Sequence, residues 1–593
     1  MAEQFKQQAW SLSDLFPSLD APEVAQAMQE LEDMVVAFEG RRDELSPTIS
    51  TEKMIEIIKQ YEQIVLAMMR LFGFGHLSFA ADTQDQKIQT FLGQVQQLAA
   101  QIDNRTMFFK LWWKSLEDDV AATLMKGTGD YAYWFEALRL QKPYTLSEAE
   151  ERVINIKDVN GPVALTNLYT AITNRYTYNV EVDGEMKELT RGELQVYYRS
   201  TDPSLRESAY KELYRVYSDD EPILGQIYQY LVRDWGAENV DLRGLPTPIS
   251  ARNLSNNVPD DVVEALLDAC RDNRALFQRF FRLKAKWLGV DKLRRYDLYA
   301  PVVETDKSYS FGEGVDLILE SFEGFDKRFS DGARKVMREE HLDSEVRKGK
   351  RSGAFCATLS PQLTPWVHVS YQGTPDDVAT LAHEFGHAIH SLLSDNHVGL
   401  VHDASLPLAE NASTFAEMLV VDQLLEKDPD PEVQRDLLFR QMDDSYATIM
   451  RQAYFALFER EAHAKIASGA SVDELSDLYM ENLKDQFGDS VDISEDFRYE
   501  WLVVPHIYHT PFYVYAYAFG QLLVLSLYNR YREQGANFIP GYIEILAAGG
   551  SDAPVRILEK AGIDVHSSEF WQGGFDVVKD LLTRLEALDI SAM

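Results

Sequence analysis

The chain has 593 residues, too many for one simple core, so two to four domains or one multi-lobed unit are expected. Its 45% hydrophobic and 26% charged content is ordinary for a water-soluble globular protein, but the net charge of −37 is not, and it argues against nucleic acid or an anionic membrane surface as a partner, because phosphate binding needs clustered Lys and Arg. Two cysteines are too few for a disulfide framework, no basic-then-apolar leader opens the chain, and no run approaches 18 uninterrupted apolar residues, so the expectation is a cytoplasmic protein without a membrane-spanning helix.

Apolar residues at three- and four-residue spacing predict helices over 21–38, 51–72, 83–103, 146–158 and 163–175. Short breaks punctuate them, among them Phe72-Gly73-Phe74-Gly75 and Asn160-Gly161-Pro162. A hairpin over 176–182 and 186–189, joined through Asp183-Gly184, closes an N-terminal helical region taken as 1–195, with 196–593 as the second region. Helices resume over 204–235 and 259–288. Extended patterns follow at 296–300 and 366–371; the second, rich in β-branched and aromatic residues, predicts a strand with an open edge for an extended peptide. The basic run Arg347-Lys348-Gly349-Lys350-Arg351 reads as a solvated loop, with substrate carboxylates as the alternative partner. Cys356 reads as a small buried residue rather than a nucleophile.

The chemistry begins at His383-Glu384-Phe385-Gly386-His387, an H-E-x-x-H set. Two histidines four apart lie about 40° from each other around a helix and one turn apart along it, so both imidazoles reach one zinc ion. Glu384 projects roughly 60° from His387, beside the ion, where a carboxylate takes a proton from water. Thr374-Pro375-Asp376-Asp377 supplies an N-cap, a proline at the first helical position and acids in the first turn. Val378, Leu381, Phe385, Ala388, Ile389 and Leu392 form a broad apolar stripe, which makes the helix a buried one.

A catalytic zinc needs a third ligand and an open position. His390 is too far along the helix, at roughly 10 Å of rise from His383. The longer H-E-x-x-H-x-x-G-x-x-H pattern fails, since His390 stands at its glycine and Leu393 at its third histidine. A glutamate from a following helix remains. That helix is expected to start at Pro407, with Glu410, Ser413, Thr414 and Glu417 on one face. Glu410 is the preferred ligand and Glu417 the preferred partner of an imidazole N–H; the reverse assignment stays open. Farther on, residues 505–520 gather His506, His509, Tyr508, Tyr513, Tyr515 and Tyr517, which either fill core or donate hydrogen bonds to an oxyanion.

These segments together resemble the oligoendopeptidase F family and its thimet-type zinc peptidases. The matching pieces are residues 383–390, then Glu410-Asn411-Ala412-Ser413-Thr414-Phe415 with Glu417, then the His/Tyr run, with Gly349-Lys350-Arg351-Ser352-Gly353-Ala354-Phe355 and Tyr371-Gln372-Gly373-Thr374 alongside. The resemblance implies a mainly α fold of zincin type, with two helical lobes flanking a deep substrate channel and a small sheet beside the zinc helix. It implies one zinc ion per chain on His383, His387 and Glu410, with Glu384 as general base. It maps His506 to the histidine that stabilises the transition state and Tyr513 and Tyr517 to its partners, while His509, Tyr508 and Tyr515 stay competitors because the spacing differs. The implied activity is cleavage of internal bonds in short, unfolded peptides. The alternatives are a carboxypeptidase or dipeptidyl carboxypeptidase on the same scaffold, or an inactive peptide-binding protein.

Overall fold

Helices form where the apolar spacing places them, and the departures come at ends and breaks. The structure is a computed structural model that describes residues 5–302, 307–428 and 430–590. Pro22–Glu39, Glu148–Asn160 and Pro162–Thr173 lie within two residues of expectation. Thr51–Ala81 runs through the expected break at Phe72-Gly73-Phe74-Gly75. Gly73 is buried inside it, and a Cβ there would lie 2.4 Å from Leu359 Cδ1, so glycine serves close packing and no turn. By length and hydropathy this helix meets the measure of a membrane span, which the sequence reading does not anticipate. In the structure Ile57, Leu71 and Leu77 lie fully buried in an apolar core, and buried Glu62 accepts a 2.7 Å hydrogen bond from Tyr131.

Two expected long helices are each a pair. Pro203–Asp219 and Glu221–Gly236 replace one helix because Pro222 has no N–H to continue the first ladder. Asp260–Asp272 and Arg274–Trp287 part at Asn273. The hairpin forms as predicted, Tyr178–Val182 antiparallel to Glu185–Leu189, with Asp183 and Gly184 at positive φ in its turn.

The chain is mainly α and packs as two units, each discontinuous. One comprises Met1–Pro143, Lys307–Asp428 and Arg530–Asp564, the other Tyr144–Asp306, Pro429–Asn529 and Val565–Met593. The sequence division at 195/196 falls inside the second. The first unit holds a three-stranded sheet in which Trp366–His368 is central, parallel to Leu342–Asp343 and antiparallel to Phe355–Ala357. The strand expected to offer an open edge is therefore covered on both sides, and the edge passes to Phe355–Ala357. Its short neighbours carry too little periodicity to be seen in the sequence.

The basic run beside this sheet is only partly a solvated loop: Lys348 and Arg351 are exposed, but Arg347 and Lys350 turn inward. The Lys350 side chain is 2% exposed and donates to Asp343 Oδ1 at 2.8 Å and to the Glu345 carbonyl at 2.8 Å, while Arg347 grips the same fully buried Asp343 at 2.6 Å. The expected extended segment at 296–300 is likewise absent. The strand there is Leu293–Arg294, paired with Val491–Asp492, and Arg295–Asp297 turns away because Asp297 accepts hydrogen bonds from Arg294 and Arg206.

Candidate metal centre

Thr374 and Asp377 form a reciprocal capping box that starts the helix Pro375–Leu393. Its apolar stripe buries Val378, Leu381, Phe385 and Ala388, which fixes the rotation that turns His383 and His387 together. The following helix is Asn411–Lys427, preceded by a single 3₁₀ turn at Leu406–Leu408. Glu410 thus stands at the N-cap with non-helical ψ and not on the expected helical face. Tyr542 donates a 2.7 Å hydrogen bond to the Asn411 carbonyl, and Phe415 stacks on Tyr542 at 4.4 Å, which docks this helix start.

Glu410 Oε2 lies 3.3 Å from His383 Nε2 and 3.4 Å from His387 Nε2. Tetrahedral zinc with bonds of about 2.0–2.1 Å separates its ligands by about 3.3 Å, so these side chains fit such an ion. His383 turns its other nitrogen, Nδ1, to Glu417 Oε2 at 3.2 Å, the support a metal-binding imidazole commonly has. Ser413 Oγ donates to Glu410 Oε2 at 2.7 Å. Among the described residues this trio and one other acidic group, Asp158, Asp234 and Glu238, have the spacing to hold a metal; only the first offers the imidazoles that favour zinc.

Electrostatics separate the two imidazoles. Burial works against the His383 cation, but the Glu410 and Glu417 carboxylates outweigh it and hold the group up at about 10. His387 is pushed down to about 4 by burial. Burial also opposes the Glu410 charge, yet the hydrogen bond with His383 and the nearby His387 draw it down to about 2. A divalent metal ion held by these groups would displace a proton from His383. Glu384 is 6% exposed, its Oε2 has no hydrogen-bond partner among the described residues, and burial raises its carboxyl to about 7. A carboxyl titrating near neutrality can both take and return a proton.

A cavity of about 520 Å³ opens on these groups. The edge strand contributes Phe355 and Cys356, and His390, His402 and Asp403 complete its far wall. His390 stays out of the ligand trio, as its rise along the helix requires. Cys356 is half-buried and burial raises its thiol. His402 was not signalled by any motif; burial opposes its charge, but Asp395 and Asp403, each 3.3 Å away, hold it up at about 9.

In the second unit, the competitors within the His/Tyr run part company. His506, Tyr513 and Tyr517 form one cluster, with ring separations of 6.2 Å, 6.0 Å and 5.2 Å. Each retains solvent access. Tyr508 is buried, stacked on Tyr169 at 3.9 Å, and Tyr515 is buried with its hydroxyl accepting from Asn256. His509 is exposed and hydrogen-bonded to Thr170 Oγ1 at 3.1 Å. Phe512, between them, has φ of 59°, and its N–H donates at 2.8 Å to buried Glu459, a positioning contact without a sequence signal.

Two imidazoles and a carboxylate converging beside a buried carboxyl define a metallohydrolase centre on a mainly helical scaffold. The chain belongs to peptidase family M3, whose family model matches residues 196–577, while one described as oligopeptidase F matches 112–178. It is a metallopeptidase. The group B oligopeptidase PepB of Streptococcus agalactiae is 28% identical over 98% of this chain and 96% of its own length. Oligopeptidase PepF of Bacillus subtilis is 26% identical over 98% of this chain and 87% of its own. In fold, the oligoendopeptidase F structure from Enterococcus faecium matches with a TM-score of 0.71 at 22% identity, covering 96% of this chain and 99% of that one.

Proposed function

We propose that this protein is a cytoplasmic, zinc-dependent endopeptidase that hydrolyses internal bonds of short, unfolded oligopeptides, with neither nucleic acid nor membrane as partner. The observation that carries this reading is the approach of Glu410 Oε2 to both imidazole nitrogens at 3.3 and 3.4 Å, with the buried Glu384 carboxyl lining the same cavity. His383, His387 and Glu410 would hold one zinc ion, which when bound would supply a Lewis acid that makes water nucleophilic near neutral pH. Glu384 accepts the proton as water attacks the peptide carbonyl, then passes it to the leaving amine, a double duty suited to a group titrating near 7. The resemblance assigns to His506, Tyr513 and Tyr517 the donors that steady the developing oxyanion. The free edge of Phe355–Ala357 supports an extended substrate pairing there as a further strand.

The test is product mapping by mass spectrometry on peptides blocked at both ends, with and without chelator, for the parent and Glu384→Gln. Cleavage of doubly blocked peptides, abolished by chelator and lost by orders of magnitude in a Glu384→Gln variant that retains zinc, is the expected result. Cleavage only of peptides with a free C-terminus would favour the carboxypeptidase alternatives. Full cleavage by Glu384→Gln would reject the assigned base.

A further inference from the structure

A cavity of about 470 Å³ lies wholly within the second unit, and His506 is part of its wall. Against a chain of net charge −37, its lining carries four arginines, Arg191, Arg199, Arg295 and Arg451, and one acid, Glu500. Glu500 is shared: Arg295 Nη2 donates to Oε1 at 2.7 Å, and Arg451 Nη2 reaches the same oxygen at 3.4 Å. Neither Arg191 nor Arg199 pairs with a carboxylate among the described residues. Asp443, the other acid that feels Arg199, is already bonded to Lys284 at 2.7 Å.

The guanidinium charge therefore exceeds the carboxylate charge available to it, and at Arg295 water solvates it poorly. Arg295 is 2% exposed, and among the described residues its Nε and Nη1 have no acceptor; Arg191 Nη1 and Arg451 Nε likewise find none there. The Tyr198 hydroxyl, on the same wall, also lacks a partner, its ring stacked on Tyr210 at 4.4 Å. Buried guanidinium N–H groups left unmatched are costly unless an anion completes them. The backbone adds a second sign of a built site: a π-helical turn at Tyr446–Met450 immediately precedes Arg451. Such bulges are rare, re-aim the following side chains, and frequently mark functional sites.

We propose that this cavity is a carboxylate-binding subsite for the peptide substrate, with Arg199, Arg451 and Arg191 as its donors. The inference rests on the peptidase reading through His506, which belongs both to this wall and to the histidine–tyrosine cluster. Guanidinium forks match a carboxylate in two-pronged fashion, and every oligopeptide with a free end carries one. The shared chemistry has two sources, the C-terminal α-carboxylate and an Asp or Glu side chain. A subsite of this kind adds affinity for peptides that place a carboxylate at one fixed position.

The experiment measures binding by calorimetry to the zinc-loaded Glu384→Gln protein, so that no turnover is needed. Three matched peptides are compared: one with a free C-terminus, its C-terminal amide, and one with internal Glu changed to Gln. A charge-assisted hydrogen-bond pair contributes about 1.5–3 kcal/mol, so loss of the recognised carboxylate weakens binding about 10- to 100-fold. Arg199→Met, at an exposed position with no ion-pair partner, and Arg451→Met should each erase most of that discrimination with melting temperatures within a few degrees of the parent. An amide effect identifies the C-terminus as the source and a Gln effect identifies a side chain. Equal affinities for all three peptides, or discrimination that survives Arg199→Met, overturn the subsite. Chelator-sensitive cleavage by the parent, together with equal affinities of the Glu384→Gln protein for all three peptides, would leave the peptidase reading intact while removing this one.

Discussion

Gly386 decides how closely the two ligand-bearing helices approach, and Gly386→Ala tests whether that approach sets the metal centre. A Cβ at this position would lie 2.5 Å from the Ala412 carbonyl oxygen and 2.5 Å from Ser413 Cα. Non-bonded carbon contacts settle at about 3.5–4.0 Å, so alanine requires the helices to separate by about 1 Å. Both contacts are backbone atoms, which cannot rotate aside. Glu410 directly precedes Asn411 and moves with that helix, while metal–ligand distances tolerate only about 0.2 Å. Alanine favours the helix itself by about 1 kcal/mol over glycine, and overpacking costs about 1–3 kcal/mol, so net stability changes by no more than about 2 kcal/mol. Zinc affinity should fall by at least the 10- to 100-fold seen when an imidazole loses its supporting partner. Competitive titration against a chromogenic chelator reads the affinity, and a thermal melt by circular dichroism reads the fold. A folded Gly386→Ala protein with parental zinc affinity would refute the argument that this helix contact places Glu410.

Glu417→Ala removes the acceptor at His383 Nδ1 and should weaken zinc binding about 10- to 100-fold, read by the same titration; an unchanged affinity dismisses its supporting role. Tyr517→Phe should lower kcat about 100-fold without moving the melting temperature, whereas Tyr508→Phe, whose buried hydroxyl donates to the Leu224 carbonyl at 3.4 Å, should leave kcat unchanged; equal losses in kcat would undo the assignment. Buried Glu459 is raised by desolvation from 4.5 to about 8. A folded-state pKa above the unfolded value gives stability that is complete below about pH 4.5 and lost as pH rises through about 8. Glu459→Gln keeps an acceptor for the Phe512 N–H and carries no charge, so between pH 5 and 8.5 the parent should lose a few kcal/mol more than the variant in urea titrations. Parallel pH profiles for the two proteins would show that Glu459 ionises freely in the fold.

The metal centre was legible because its rules are local. A four-residue spacing on a helix fixes the two imidazoles and the Glu384 carboxyl relative to one another, and Thr374, Pro375 and the apolar stripe announce that helix. Glu410 was readable as a candidate ligand, but its place at the N-cap was not, since that depends on the docking of Asn411 against Tyr542. Sheet order was hidden for the same reason. Strands of two or three residues carry no periodicity, so only tertiary pairing could place Trp366–His368 in the centre and leave Phe355–Ala357 at the edge. The basic run looked solvated until Asp343, buried by the packing of its strand, claimed Lys350 and Arg347. Likewise, six histidines and tyrosines within twelve residues are indistinguishable by composition. Burial against Tyr169 and Asn256 removed Tyr508 and Tyr515, and left His506, Tyr513 and Tyr517 facing one another. Sequence alone fixed the chemistry along one helix, because covalent spacing is itself geometry there. Which distant groups meet that helix, and which charges lose their water, depends on packing between segments far apart in the chain, and only the folded structure decides it.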